Sequence, residues 1–140
     1  MTLRLGLLST ARINGAVLAG AAATDAVEVA AVASRDHARA EAYAAEHGIA
    51  RAHGSYEALL ADPDVDAVYV SLPNSLHVEW SIRALEAGKH VLCEKPIASN
   101  AAEAERMAQA ADDAGRVLVE AFHWRYHPLA ARVKELIASG

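Results

Sequence analysis

The sequence predicts an α/β fold: a doubly wound, mainly parallel sheet with helices on both faces. Three observations predict it. Short apolar runs alternate along the chain with longer segments of helical character. The apolar runs are continuous rather than alternating, as in strands covered on both faces. Glycine, proline and helix-capping residues punctuate the joins between the two kinds of segment. A β-α-β order with right-handed crossovers then gives the wound architecture.

Residues 3–8 (LRLGLL) read as a buried strand. Residues 14–23 follow as an alanine-rich helix, since alanine favours helix and lets it lie close to a sheet. Residues 27–33, Val and Ala apart from Glu28, form a second strand. Residues 36–47 form a helix with Asp36 near its start and Gly48 just past its end. Residues 55–61 make a short helix that Asp62-Pro63-Asp64 breaks. Residues 67–71 are a strand. Residues 76–87 are a helix, started by Asn74 or Ser75 and stopped by Gly88. Residues 90–93 are a strand. Residues 100–114 are a helix with a capping box from Asn100 to Glu103 and Gly115 beyond its end. Residues 117–121 are a strand, and residues 128–139 are a last helix with Pro128 in its first turn.

Composition bounds what the chain does. Its 140 residues fit one domain. A 54% hydrophobic, 22% charged composition suits a soluble globular protein. A net charge of -5 argues against a nucleic-acid partner, while leaving room for one local basic spot. Cys93 is the only cysteine, so no internal disulfide and no cysteine-based metal cluster is expected, and a reducing, cytoplasmic setting is. The histidines show no zinc spacing, and no metal is expected. The first apolar run is too short for a signal sequence, and no stretch approaches the ~20 apolar residues of a membrane span.

In a doubly wound fold, ligands sit beyond the carboxyl ends of the strands, so the residues just after each strand carry the functional information. After the first strand comes Ser9-Thr10-Ala11-Arg12-Ile13-Asn14. A dinucleotide fingerprint would place glycines at 9, 11 and 14. Ser and Ala are the next smallest residues and still permit close backbone approach, and the helix that follows still offers free N–H groups to a pyrophosphate. Gly15 is expected to ease packing of that helix on the sheet. After the second strand comes Ser34-Arg35-Asp36. An NAD site usually carries an acidic residue at position 34 for the ribose 2′-hydroxyl. A hydroxyl followed by a guanidinium suits a 2′-phosphate instead, which favours NADP(H) over NAD(H). Asp36 is open to two roles, capping the next helix or reaching back to the ribose. The later strands end in Leu72-Pro73-Asn74-Ser75-Leu76-His77, in Cys93-Glu94-Lys95-Pro96, and in Glu120 through Pro128. All three segments are expected at one crevice.

With these segments in view, the chain resembles the N-terminal domain of the glucose-fructose oxidoreductase, inositol dehydrogenase and MocA (Gfo/Idh/MocA) family, a Rossmann domain. The resemblance covers nearly the whole chain. It rests on residues 6–13, on Ser34-Arg35-Asp36, on residues 73–77, on Glu94-Lys95-Pro96 and on Trp124-Arg125-Tyr126-His127-Pro128. The first turn and the Trp-Arg-Tyr-His-Pro segment are most similar to the xylose dehydrogenase and dihydrodiol dehydrogenase branch, whose members use NADP.

The resemblance implies hydride transfer between NADP(H) and a sugar, polyol or dihydrodiol. It implies that Lys95 lies beside the nicotinamide and the reacting carbon, where a lysine can steer the alcohol proton. It gives Ser9, Thr10, Ala11, Arg12, Ile13, Ser34, Arg35, Leu72, Pro73, Asn74, His77, Glu94, Trp124 and Arg125 as cofactor contacts. Several have structural alternatives: Asn74 or His77 as helix-start residues, and Arg125 in an ion pair with Glu120 or Glu94. Cys93 reads as a buried strand-end residue rather than a nucleophile.

Family members run to more than twice this length. The resemblance therefore implies a dinucleotide-binding domain over residues 1–127 and a helix over 128–140 leading to a C-terminal substrate domain absent from this chain. That domain would supply most of the substrate pocket and the surface for a homo-oligomer. Without it, an exposed apolar patch is expected around Phe122, Trp124 and Tyr126, and the chain alone is expected to be inactive. A non-catalytic NAD(P)-binding module is the alternative reading. Binding of S-adenosylmethionine is disfavoured by Ser34, because that ligand wants an acid there.

Overall fold

The computed structural model describes residues 2–140; Met1, inside the expected 1–127 domain, lies outside the described residues. Six strands form one sheet, and every neighbouring pair is parallel. The strands are β1 (Leu3–Leu8), β2 (Val27–Ala33), β3 (Arg51–His53), β4 (Ala67–Val70), β5 (His90–Cys93) and β6 (Leu118–Glu120), in the order β3-β2-β1-β4-β5-β6. The helices are α1 (Asn14–Ala22), α2 (His37–His47), α3 (Tyr56–Leu60), α4 (His77–Glu86), α5 (Ala101–Ala114) and α6 (Pro128–Ser139). The winding direction reverses between β1 and β4, which opens a switch point at their carboxyl ends.

Strand β3 was not expected. It is three residues long, Arg-Ala-His, and half-buried at the sheet edge, so it shows no apolar run. The start of α4 also differs. Residues Asn74–Leu76 form a 3₁₀ turn, α4 begins at His77, and neither Asn74 nor Ser75 caps it.

The other boundaries follow local chemistry. Asp36 accepts the Arg39 N–H at the start of α2, and Gly48 closes that helix at φ 68°, a conformation that suits glycine. Asn100 accepts the Glu103 N–H at 3.0 Å, while Glu103 reaches back to the Ser99 N–H rather than to Asn100 itself. His127 Nδ1 accepts the Leu129 N–H and caps α6.

The sheet has a core on each face. Leu8, Val68, Val70 and Cys93 join Leu59, Trp80, Leu85 and Met107 from α3, α4 and α5. Leu5, Leu7, Ala67 and Tyr69 point the other way, toward Val17 and Leu18 of α1 and Ala44 of α2. The lack of a side chain at Gly6 lets α3 sit on β1: a Cβ there would lie 2.8 Å from Leu59 Cδ2. Gly15 has no such role, because a Cβ would meet nothing within 4 Å, so the expected packing contribution is absent.

At the amino-terminal edge, Arg4 of β1 grips the loop between α3 and β4. Its guanidinium reaches Asp66 at 2.7 and 3.0 Å and Asp64 at 2.7 Å. Buried Lys89 donates to the carbonyls of Asp62 and Val65 in the same loop. Among the described residues no helix is long and apolar enough to cross a membrane.

Hydrogen bonds from Arg4 hold the Asp66 carboxyl at about 2, below its ordinary 3.8. The folded chain therefore holds this proton more weakly than the unfolded chain. The stabilisation is present above pH 3.8 and is lost as the pH falls from there through 2. Urea titrations of the wild type and Asp66→Asn should differ clearly at pH 7 and converge at pH 2; a constant gap would contradict the Arg4 clamp.

Candidate functional site

The loops that follow β1, β2 and β4 meet at the switch point and enclose a cleft of about 200 Å³. The first turn contributes Ser9, Thr10 and Ala11, the end of β2 contributes Ser34 and Arg35, and the loop after β4 contributes Leu72 and Pro73. Three further residues line it: Arg39, Tyr56 and Ser71. None had a signal in the sequence, because Arg39 lies on a helix, Tyr56 arrives from a core helix, and Ser71 looks like the end of a strand.

Ser9 anchors the first turn. Its φ of 154° lies in the region that side-chain-bearing residues rarely adopt, which is where the dinucleotide fingerprint places a glycine. Its hydroxyl lies 2.7 Å from the Ser71 hydroxyl and 3.2 Å from the Ser71 carbonyl, and it accepts the Ala11 N–H at 3.1 Å. Asn14, fully buried, donates to the Ser9 carbonyl at 2.8 Å. Two of the three residues that replace glycines, Ser9 and Asn14, thus brace the turn from both sides. No group among the described residues accepts from the N–H of Arg12 or Ile13, which stay open to an anion at the start of α1. The Arg12 and Ile13 side chains are exposed and lie outside the cleft lining.

At the end of β2, the Ser34 N–H donates to the His53 carbonyl of β3, and the Ser34 hydroxyl accepts the Asp36 N–H at 3.2 Å. That leaves the hydroxyl proton for a ligand. Of the two roles open to Asp36, the structure shows the cap.

His77 does not line the cleft. It is fully buried beneath it, with Nε2 2.9 Å from the Leu72 carbonyl and Nδ1 2.8 Å from the Pro96 carbonyl. It ties together the loops that leave β4 and β5. Asn74 is exposed on the 3₁₀ turn, also outside the lining.

Beside the cleft, β5 delivers Glu94 and Lys95. Glu94 is buried and accepts from the Tyr69 hydroxyl and from the Lys95 N–H. Burial, then the hydrogen bond to Glu94, pushes the Tyr69 hydroxyl well above its ordinary range, so it stays a donor. The Lys95 side chain is exposed. Glu120 accepts the Ile97 N–H at 3.0 Å and pins the segment after Lys95, so it makes no ion pair with Arg125. Nor does Glu94 pair with Arg125 among the described residues; the His123 imidazole lies 3.9 Å from its carboxylate. Burial pushes the Cys93 thiol up to about 11, which removes it as a nucleophile. Phe122, Trp124 and Tyr126 are exposed, as expected for this segment, and Phe122 and Trp124 meet edge to face.

Among the described residues no cluster of His, Cys, Asp or Glu could hold a metal. A larger open groove of about 660 Å³ lies near the amino-terminal ends of the strands. Of its charged groups, Arg4, Arg51 and Asp64 are engaged in ion pairs with one another and with Asp62 and Asp66, and Glu28 adds a carboxylate to its wall.

Comparison with known proteins gives a consistent result. Residues 6–122 match the family model for an oxidoreductase family with an NAD-binding Rossmann fold, Gfo/Idh/MocA. The chain is 51% identical over 134 residues to D-xylose 1-dehydrogenase (NADP(+)) 2 of Haloferax volcanii, covering 96% of this chain and 41% of that protein. It is 37% identical over 140 residues to a trans-1,2-dihydrobenzene-1,2-diol dehydrogenase of Xenopus laevis, covering 99% and 42%. Among solved structures it matches the 3-ketoreductase KijD10 from Actinomadura kijaniata in complex with NADP and TDP-benzene, with a TM-score of 0.92 and 40% identity over 100% of this chain and 43% of that one. The chain thus spans about two fifths of the length of these relatives.

The Ser9 geometry generates two expectations. Ser9→Val puts a branched side chain at φ 154° and deletes the hydroxyl, so it should destabilise the chain by about 2–4 kcal/mol. Ser9→Gly removes the backbone strain as it removes the hydroxyl, and should stay within about 1 kcal/mol of the wild type. Denaturant midpoints decide between these outcomes, and equal effects of the two substitutions would refute strain at this turn. The exposed aromatic segment should bind anilinonaphthalene sulfonate, with fluorescence that falls in Trp124→Ser.

Proposed function

The chain belongs to the Gfo/Idh/MocA family of oxidoreductases, and from that premise we propose that it is the dinucleotide-binding part of an NADP(H)-dependent dehydrogenase or reductase acting on a sugar, polyol or dihydrodiol. In this reading residues 1–127 are the cofactor domain, and residues 128–140 lead into a further domain that completes the substrate pocket and carries any oligomer contact. A buried lone cysteine fits a reducing, cytoplasmic setting.

The observation that carries the proposal is the cleft at the switch point, where Ser9, Thr10 and Ala11 face Ser34 and Arg35. The donor set suits an anionic dinucleotide. The first turn and the open N–H groups of Arg12 and Ile13 would hold the pyrophosphate. The Ser34 hydroxyl and the Arg35 guanidinium would hold a 2′-phosphate, to which a carboxylate at this position would be repulsive. Leu72 and Pro73 form an apolar wall, with Asn74 beyond it, along the path toward Lys95.

The nicotinamide ring supplies the hydride acceptor or donor when the cofactor is bound. The residues of the chain do the rest. Lys95 orients the substrate oxygen and moves its proton. Glu94, held by Tyr69, fixes the backbone of Lys95. His77 sets the spacing of the two flanking loops from below. Trp124 and Arg125 close on the nicotinamide or the substrate from the segment after β6.

Titration of the chain with NADPH and NADH, followed by nicotinamide fluorescence and heat of binding, tests the reading. NADPH should bind and NADH should bind more weakly. Equal binding would remove the 2′-phosphate assignment, and no binding of either would remove the site. In the longer protein, Lys95→Ala should lower kcat by about 10²- to 10⁴-fold while NADPH affinity changes little. Unaltered turnover would exclude Lys95 from the chemistry.

A further inference from the structure

We infer that Tyr69 is a positioning residue that keeps the Glu94 carboxylate off the Lys95 ammonium, an inference that rests on the reading of Lys95 above. A buried acid and an exposed lysine are neighbours in the chain here, and their charges are not joined. Among the described residues Lys95 has no carboxylate within ion-pair distance. A carboxylate with little water around it and an ammonium beside it would ordinarily pair. Other groups hold this one. The Glu94 N–H donates to the Val70 carbonyl at 3.0 Å, which fixes the backbone against β4. Glu94 Oε1 accepts the Tyr69 hydroxyl, and Oε2 accepts the Lys95 N–H at 3.1 Å.

The sheet places Tyr69 for this task. Its register partner on β5 is Leu92, two residues before Glu94, so Leu92 and Glu94 project to the same face. Tyr69 is packed on that face with Leu5, Leu7 and Ala67. It is fully buried, and its phenol reaches the carboxylate from inside the core. Burial, then the hydrogen bond to Glu94, pushes the hydroxyl well above its ordinary range, so it remains a donor in neutral and mildly alkaline solution. Without that donor, Oε1 would be a buried charge lacking a partner. Two cationic groups could then draw it, the His123 imidazole at 3.9 Å and the Lys95 ammonium next in the chain. Where the imidazole is neutral, only the lysine can supply the charge. A Lys95 ammonium drawn to Glu94 would hold its proton more tightly, the reverse of what a lysine that moves a substrate proton needs.

Trace acetylation of the 140-residue chain with acetic anhydride, read lysine by lysine by mass spectrometry, tests the assignment, because only the neutral amine reacts. The chain has three lysines. Exposed Lys134 calibrates the reagent, and buried Lys89 reports whether the fold is intact. At about pH 9 an ordinary imidazole is neutral and an ordinary ammonium is charged. There Tyr69→Phe should lower the Lys95 rate relative to Lys134 by about two- to fivefold, the size of a partly exposed ion pair, while Lys89 stays protected. Adding Glu94→Gln should restore the wild-type ratio, because the amide carries no charge to pair with. Glu94→Gln alone should leave the ratio within about twofold, since an unpaired charge nearby is largely screened. An unchanged ratio in Tyr69→Phe with Lys89 protected would overturn the role of Tyr69, as would a fall that Glu94→Gln does not reverse. A larger rise in Glu94→Gln alone would show the pair already made, and it decides even where Tyr69→Phe does not fold. The labelling needs no dinucleotide. Normal turnover of Lys95→Ala in the longer protein would instead remove Lys95 from the chemistry and leave the Tyr69 contact standing.

Discussion

The reversal of winding between β1 and β4 is the constraint on which the rest depends. Two parallel strands that part at their carboxyl ends must send their following chains in opposite directions, and the gap between them stays open. Here the gap is bridged by the Ser9 hydroxyl, 2.7 Å from the Ser71 hydroxyl and 3.2 Å from the Ser71 carbonyl. Everything placed around the cleft takes its position from that pair. The Ser9 side chain shapes the turn into α1 through the Ala11 N–H, and Ser71 leads straight into Leu72, whose carbonyl lies beside His77. His77 in turn reaches Pro96, next to Lys95. A chain of polar contacts and short loop segments therefore links the first turn to the neighbourhood of Lys95.

Much of this was legible in the sequence, and the reasons are local. Residues 5–8 of β1 and Ala67–Val70 are buried on both faces, so continuous apolar runs announced them. Asp36, Gly48, Asn100 and Gly115 are residues whose capping chemistry works over two or three positions, so they too could be read in one dimension. What stayed hidden depends on distant segments. Arg51–His53 is a strand only because β2 offers it an edge to pair with. His77 looks like a helix-start residue until the loop at Pro96 folds over it. Arg39 looks like any exposed helix arginine until the carboxyl end of β2 turns it toward Ser34.

The two edges of the sheet treat charge differently, and the contrast bears on function. At the amino-terminal edge, Arg4, Arg51, Asp62, Asp64 and Asp66 neutralise one another, and buried Lys89 gives its protons to two carbonyls. Those groups stabilise the fold and are already satisfied. At the carboxyl edge, Arg35 and Arg39 line the smaller cleft with no carboxylate in ion-pair range among the described residues. The larger groove at the opposite edge carries the Glu28 carboxylate and the smaller cleft carries Arg35 and Arg39, so of the two the smaller suits an anion.

The first turn shows why a letter pattern is a poor guide to backbone conformation. All three fingerprint glycines are replaced, by Ser9, Ala11 and Asn14, yet at residue 9 the backbone keeps the conformation a glycine would serve. Glycine provides that conformation through freedom. Here it is provided through restraint: the Ser9 hydroxyl is held by Ser71, and the Ser9 carbonyl by the buried amide of Asn14. A restrained turn loses less entropy when a ligand orders it, so it can match a glycine turn in affinity while tolerating fewer neighbours. Ser9, Asn14 and Ser71 then form one unit, and substitutions within it should couple rather than add. The motif that matters is the positive φ at residue 9 and the groups that enforce it.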